Sequence, residues 1–259
     1  MNTVNFERIL YRADGPVARV TLNRPEKRNA LDADTIRELK TALGTAEADA
    51  GVRVVLLTGA GHHFCAGADL AALQQLAERG DPVENLQDAS SLGQLFSRMR
   101  QCRCVIVAAV HGNAIAGGAG LATACDVILA SDDAVFGYPE VNIGFVPAMV
   151  MGLLRRAVGE KMAFELVARG ERISAADAAR IGLVNRVFPS EHFEASVEKW
   201  LLGLAARSGS ALHLTKRLFY GIDGLTVEQA IGRGAEVNAL ARLTSDCREG
   251  VRRFVDREG

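Results

Sequence analysis

Two strands followed by a helix, repeated along the chain, constrain this sequence more than any other feature. ILYR and VARVTLN flank the Asp-Gly-Pro turn at 14–16, and the helix that follows has Asp32 as its N-cap and Ile36, Leu39, Leu43 and Ala46 at helical spacing. VRVVLLTG (52–59) is the next strand, a short helix starts near Asp69, and the polar stretch at 79–91 reads as mobile. A helix through Leu92, Phe96 and Met99 leads to the strand CVIVAAV (104–110), a glycine-rich turn, the helix GLATAC and the strand DVILAS. Strand-like pieces near Val135 and Val141 precede apolar helices at 148–158 and 160–169. This recurrence predicts an α/β fold, a stacked ββα core with mostly parallel sheets, and not a sandwich or a bundle. From Ser174 the chain turns helical apart from LVNRVF (183–188), with Ser174/Asp177 and Thr226/Gln229 spaced as capping boxes. The expected division is a ββα core over 1–190 and a helical region over 191–259 that serves oligomerisation and covers the site.

Composition narrows the partners. Thirty Lys and Arg against 31 Asp and Glu give a net charge of −1, so no global field favours nucleic acid or an anionic membrane, and an anionic ligand must be held locally. No apolar run approaches bilayer length, and MNTVNFERILYR resembles neither a signal nor a transit peptide, so a cytoplasmic protein is expected. Five cysteines without paired CxxC spacing read as reduced thiols, with no metal expected.

The segment AVHGNAIAGGAGLATACD (109–126) aims several backbone N–H groups and a helix N-terminus at one point, which suits negative charge. No Gly-Lys-Ser/Thr follows, so it is not a P-loop; such a turn can instead hold an oxyanion formed in acyl chemistry, given a second donor. GAGHHFCAGADL (59–70) is a second strand-to-helix turn of small residues, and the two turns facing each other would supply both donors. The plainer alternative for each glycine is close packing.

Glu140, between Pro139 and an apolar run, is a desolvated acid–base candidate or a strand-end carboxylate held in an ion pair. His62 and His63 read as a solvated loop, His111 beside the glycine turn as a packed structural residue ahead of a catalytic one, and Asp126 as a backbone partner. Lys27 and Arg28 form a solvated basic face or a phosphate contact. No G-x-S-x-G nucleophile elbow is present.

Four motifs in order, TLNRPEKRNALD, HHFCAGADL, AVHGNAIAGGAGLATACDVILASDDAVFGYPEVNIGFVP and GERISAADAARIGLVNRVF, resemble the crotonase superfamily of enoyl-CoA hydratases and isomerases, best over residues 16–190. The resemblance implies a spiral of ββα units with a C-terminal helical trimerisation region, an acyl-CoA thioester substrate, and a homotrimer or dimer of trimers. It implies no metal or further cofactor, coenzyme A being part of the substrate. It places the oxyanion hole on the N–H groups of Ala68 and Gly117, and the catalytic carboxylate on Glu140. Candidate CoA and substrate contacts become Lys27, Arg28, Ala30, Ala66, Asp69, Leu70 and Gly118. The family's two-glutamate hydratases carry their other glutamate at the position of Gly120, so one carboxylate is lost here. That loss is expected to leave room for a branched or polar acyl group, and methylglutaconyl-CoA hydratase-type members resemble the A-G-G-A-G pattern. The implied activity is hydration of a 2-enoyl-CoA by Glu140 and water, the second proton coming from the water network, Glu140 itself, Asp88 or Glu84. Double-bond isomerisation with one glutamate, and acyl-CoA binding without catalysis, are the alternatives.

Overall fold

The computed structural model describes residues 6–258; the reading made on the first five residues lies outside them. Among the described residues nine strands form, in chain order β1 (Ile9–Asp14), β2 (Val17–Leu22), β3 (Val54–Gly59), β4 (Val105–Val110), β5 (Asn113–Ile115), β6 (Val127–Ser131), β7 (Val135–Gly137), β8 (Arg172–Ser174) and β9 (Arg186–Phe188). Eleven helices accompany them: α1 (Ala33–Ala48), α2 (Leu70–Arg79), α3 (Pro82–Gln101), α4 (Gly117–Ala124), α5 (Met151–Val158), α6 (Glu160–Arg169), α7 (Ala175–Arg180), α8 (Phe193–Ala205), α9 (Gly209–Gly221), α10 (Val227–Arg242) and α11 (Ser245–Glu258). One sheet has the order β1-β2-β3-β4-β6-β9, parallel except for the β1–β2 hairpin; a small sheet has the order β5-β7-β8, with β5 parallel to β7.

The apolar runs VVLLTG and VIVAAV lie in the middle of the large sheet, where both faces are covered, which is why they show no polar alternation. Successive side chains still divide between two cores. Val55, Leu57 and Ile106 pack toward α1, α3 and α4, while Val54, Leu56, Val105 and Val107 pack toward Phe193, Val197 and Leu201 of α8. Helix α8 therefore belongs to the sheet's own packing, although it lies beyond residue 190.

Three local expectations change. The stretch at 79–91 is not a mobile loop: Gly80 ends α2 in the left-handed conformation, Asp81 caps the next helix through Val83 N–H, and Pro82 opens α3. A polar exterior is what the first turns of a half-solvated helix require. The piece near Val141 is a 3-10 turn, Pro139–Ile143, and not a strand. The helix expected from 148 starts at Met151. Both capping sites form, with the reciprocal pair complete at Thr226 and Gln229; at Ser174 the Asp177 carboxylate takes the hydroxyl instead of the backbone N–H.

The C-terminal helices are tied to the core by one buried ion pair. Lys216 on α9, 6% exposed, donates to the carbonyls of Met99 at 2.8 Å and Cys104 at 2.9 Å, and to Asp126 Oδ2 at 2.6 Å. Asp126 also accepts from Ile106 N–H at 2.7 Å and from the Tyr220 hydroxyl at 2.8 Å. Removing the ammonium leaves a buried carboxylate and two carbonyls short of a donor. Lys216→Met is expected to lower unfolding free energy by about 3–5 kcal/mol in urea titration, and a loss below about 1 kcal/mol would contradict this assignment.

Candidate active site

Three chain segments end side by side. Cys65 bridges to Ala114 in parallel, and Ile115 is the last residue of β5 to pair with β7, opposite Gly137. The segments that leave toward Ala68, Gly117 and Glu140 thus emerge from neighbouring parallel ends, the edge at which α/β sheets present backbone groups to ligands.

The segment ending at Ala68 is clamped on both sides. Leu31 donates to the Gly67 carbonyl at 2.7 Å and accepts from Asp69 N–H at 2.9 Å, while Phe64 and Cys65 donate to His111 and Asn113 at 3.0 Å each. In extended backbone, alternate N–H groups face opposite sides. With Asp69 turned to Leu31, the Ala68 N–H faces away from it. It faces Gly117: a Cβ at Gly117 would lie 3.6 Å from Ala68 N. Gly117 opens α4, where an N–H has no partner within the helix. The two turns read separately from the sequence do face each other, and among the described residues neither N–H has a side-chain or loop acceptor.

Gly67 and Ala116 set this approach. Gly67 has φ 96°, and a Cβ there would lie 2.9 Å from both Ala116 Cβ and the Ile115 carbonyl oxygen. Ala116 has φ 52° and ψ −125°, a conformation costly for any side chain, and is held by its N–H to the Gly137 carbonyl at 2.8 Å. The strained peptide aims the next N–H, that of Gly117. Ala116→Gly is expected to stabilise the fold by about 1 kcal/mol in chemical unfolding; equal or lower stability would remove strain as the account of this turn.

Glu140 lies in the first turn of Pro139–Ile143, 8% exposed, and its Oε2 is buried without a hydrogen-bond partner. Burial raises the Glu140 carboxyl above its ordinary pKa. The ion-pair alternative drops out, because no cation pairs with it among the described residues. Nearby, Tyr138 is fully buried and shares a 2.7 Å hydrogen bond with Thr123 of α4, which fixes the approach of the Glu140 turn to that helix.

Gly120 differs from expectation. It leaves no vacant room: a Cβ there would lie 3.1 Å from Phe96 Cζ, 3.3 Å from Cε2 and 3.4 Å from Val150 Cβ. Phe96 and Val150 are themselves buried, so hydrocarbon crowds the point where a side chain at 120 would start. Of the other proton sources, Glu84 is exposed and paired with Arg79 at 2.9 Å, while Asp88 is half-buried on α3 with its pKa raised by burial.

The remaining candidates divide. Lys27 and Arg28 are exposed on a turn beside the Ala66 segment, and Arg28 accepts the Ala66 N–H at 2.9 Å. Asp69 is committed elsewhere: its carboxylate accepts from Arg24 at 2.9 Å and caps α2 at Ala71 N–H, and the Arg24 hydrogen bond is the main cause of its lowered pKa. The Ala30 carbonyl accepts from Arg24 at 2.7 Å. Leu70 is the first residue of α2, so its carbonyl belongs to the helix ladder. Gly118 faces inward, since a Cβ would lie 2.2 Å from the Cys65 carbonyl oxygen. Its role is close packing. His111 bonds the Gly61 carbonyl at 3.0 Å and His63 accepts from Asn113 N–H at 3.3 Å, both holding turns. Cys65, fully buried with its thiol pushed up to about 12, donates to the Asn29 carbonyl. No group of three or more His, Cys, Asp or Glu among the described residues is placed to hold a metal.

Sequence reasoning missed Phe96 and Val150 as site residues. Phe96 shows only a helix-spaced apolar signal, which marks a core position, and nothing local reports what it packs against. Ala116 gave no signal at all, since alanine at positive φ is set by its neighbours.

The chain resembles known proteins over nearly its whole length. The family model for enoyl-CoA hydratase/isomerase matches residues 12–259. A relative from Thermus thermophilus, named only provisionally as an enoyl-CoA hydratase, is 43% identical over 94% of this chain and 96% of its own. A peroxisomal Δ(3,5)-Δ(2,4)-dienoyl-CoA isomerase from Arabidopsis thaliana is 33% identical over 95% and 92%. The crystal structure of an enoyl-CoA hydratase from Mycobacterium smegmatis superposes with a TM-score of 0.92 at 30% identity, covering 97% of each chain. A family model that matches from residue 12 to residue 259, with the same fold in solved relatives at 30% and 32% identity, means that the chain belongs to the enoyl-CoA hydratase/isomerase family of the crotonase superfamily.

Proposed function

We propose that the protein shifts the double bond of an enoyl-CoA thioester, with Glu140 as its single proton carrier. The observation that carries this reading is a buried Glu140 whose Oε2 has no hydrogen-bond partner, with hydrocarbon crowding the point where a side chain at 120 would start. In this reaction the carboxylate takes a C2 proton from a 3-enoyl thioester. The C2–H electron pair moves into the thioester, and the oxygen that gains charge is held by the Ala68 and Gly117 N–H groups. The same carboxyl then returns the proton at C4, and the double bond ends at C2=C3. Lys27 and Arg28 hold the anionic end of coenzyme A, which is the substrate's handle and the only cofactor chemistry invoked.

Hydration, placed first from sequence alone, is the second reading. The names of the Thermus and Mycobacterium relatives favour it, and one carboxylate can take a proton from water at C3 and give it to C2. A branched acyl group draws no support from Gly120, whose surroundings are filled. The test is a panel of 2-enoyl- and 3-enoyl-CoA thioesters in ¹⁸O water. Unlabelled migration of the double bond, absent in Glu140→Gln, supports isomerisation; label at C3 supports hydration; binding without conversion means that the site only holds acyl-CoA.

The assembly belongs to the same reading. Helices α9, α10 and α11 expose Phe219, Val227, Ile231, Leu240 and Phe254, large apolar side chains of the kind that mark interaction surfaces, which supports a homotrimer or a dimer of trimers. Light scattering giving the monomer mass at micromolar concentration would overturn that part. No helix among the described residues is long and apolar enough to cross a membrane, and free cysteines suit the reducing cytoplasm as its location.

A further inference from the structure

The structure assigns to Phe96 the choice of reaction type: its ring, backed by Val150, closes the side of the site where a second polar group or a water would stand. The inference rests on the one-carboxylate reading above and names what enforces it. A Cβ at Gly117 points toward Ala68 N, and position 120, three residues further on, shares that face of α4. A side chain at 120 therefore projects along the side of the helix that faces the Ala68 N–H. To project there it must displace the Phe96 ring edge, 3.1 Å from where its Cβ would be, and press on Val150 at 3.4 Å. Phe96 is 4% exposed and Val150 3%, so neither has solvent to turn into.

The chemical consequence follows from what water needs. Hydration forms a bond from water oxygen to C3 while the C2=C3 electron pair moves toward the thioester; one water proton goes to a base, and C2 takes a proton from a carboxyl group. A water held for that attack requires two or more polar partners. On the α4 side the wall offers a phenyl edge, valine methyl groups and a glycine without a side chain, which leaves Glu140 and, two turns along α3 from Phe96, the half-buried Asp88 as the carboxylates in reach of a water. A proton carried by Glu140 from C2 to C4 needs no water. Phe96 touches none of the reacting groups in this scheme; it determines specificity by exclusion.

Removing the ring alone leaves an apolar cavity, which stays dry. Phe96→Ala is therefore expected to slow isomerisation without introducing hydration. Gly120→Glu alone drives a carboxylate into the ring and is expected to lower the thermal midpoint sharply. The double variant Phe96→Ala/Gly120→Glu has both the space and the second carboxylate. It is expected to recover most of the midpoint lost by Gly120→Glu and to raise the ratio of hydration to isomerisation by about 100-fold, the lower end of a general base's contribution.

The experiment is this cycle of four proteins, read by thermal unfolding and by mass spectrometry of products from one 3-enoyl-CoA in ¹⁸O water. A Gly120→Glu protein as stable as wild type, or a double variant no more stable than Gly120→Glu, would show that the ring does not occupy this volume. A double variant that regains stability but adds no label would overturn the role in reaction type. Wild-type protein that itself labels C3 as fast as it isomerises overturns the isomerase reading, while the unfolding cycle still decides whether Phe96 and position 120 compete for one space.

Discussion

Glu140→Gln is expected to lower turnover by about 100- to 10,000-fold while the protein becomes more stable at neutral pH. Glutamine keeps the shape of the side chain and removes the ability to accept a proton. The stability effect has the opposite sign from the usual surface carboxylate. Burial raises the folded-state pKa of Glu140, so ionisation is harder in the folded than in the unfolded chain. Its protonated form costs nothing below the unfolded value of about 4.3, and stability is lost as pH rises from there through the raised folded value. The variant escapes that loss. Its advantage over wild type is expected at pH 7 to 8 and should vanish near pH 4, as measured by urea unfolding across pH. In wild type, turnover should fall with decreasing pH on a limb above the ordinary glutamate range, because the carboxylate is the active form. A variant with unchanged turnover, or one whose stability gain persists at pH 4, would remove Glu140 from the role assigned to it.

Gly117→Ala separates the oxyanion donors from the fold. Its Cβ would lie 3.6 Å from Ala68 N and 3.7 Å from Gly67 Cα, ordinary contact distances, and Gly117 is not among the residues with positive φ. The variant is therefore expected to fold with a midpoint close to wild type. The added methyl, however, stands in front of the Ala68 N–H, where an oxygen must come within hydrogen-bond distance. Turnover is expected to drop by about 100- to 1,000-fold, the cost of losing one such donor. The loss should fall on kcat more than on binding of the thioester, since the charge appears only during reaction. Unchanged kcat in a folded protein would show that the thioester oxygen sits elsewhere.

The same pair of glycines shows how far the chain could be read directly. Gly117 and Gly118 are adjacent and identical in sequence, yet a methyl is tolerated at one and lies 2.2 Å from the Cys65 carbonyl oxygen at the other. Which of them borders the cleft depends on the turn at residues 65–68, brought there by pairing across nearly fifty residues. Asp69 and Leu70 were read as substrate contacts for want of that information: Arg24, far away in sequence, claims the first, and the start of α2 the second.

What the amino-acid sequence determined by itself was the order of the main strands and helices, the two glycine-rich turns, Glu140 as a candidate carboxylate and the absence of a global charge field. These follow from short-range causes: apolar periodicity, caps such as Asp32 and Thr226, and motifs read as contiguous strings. Tertiary structure alone decided that the place of the missing carboxylate is filled and not open. Glycine at 120 states only that no side chain starts there. Whether that leaves a cavity depends on α3 delivering the Phe96 ring and on the loop before α5 delivering Val150, and close packing between segments distant in sequence makes that decision.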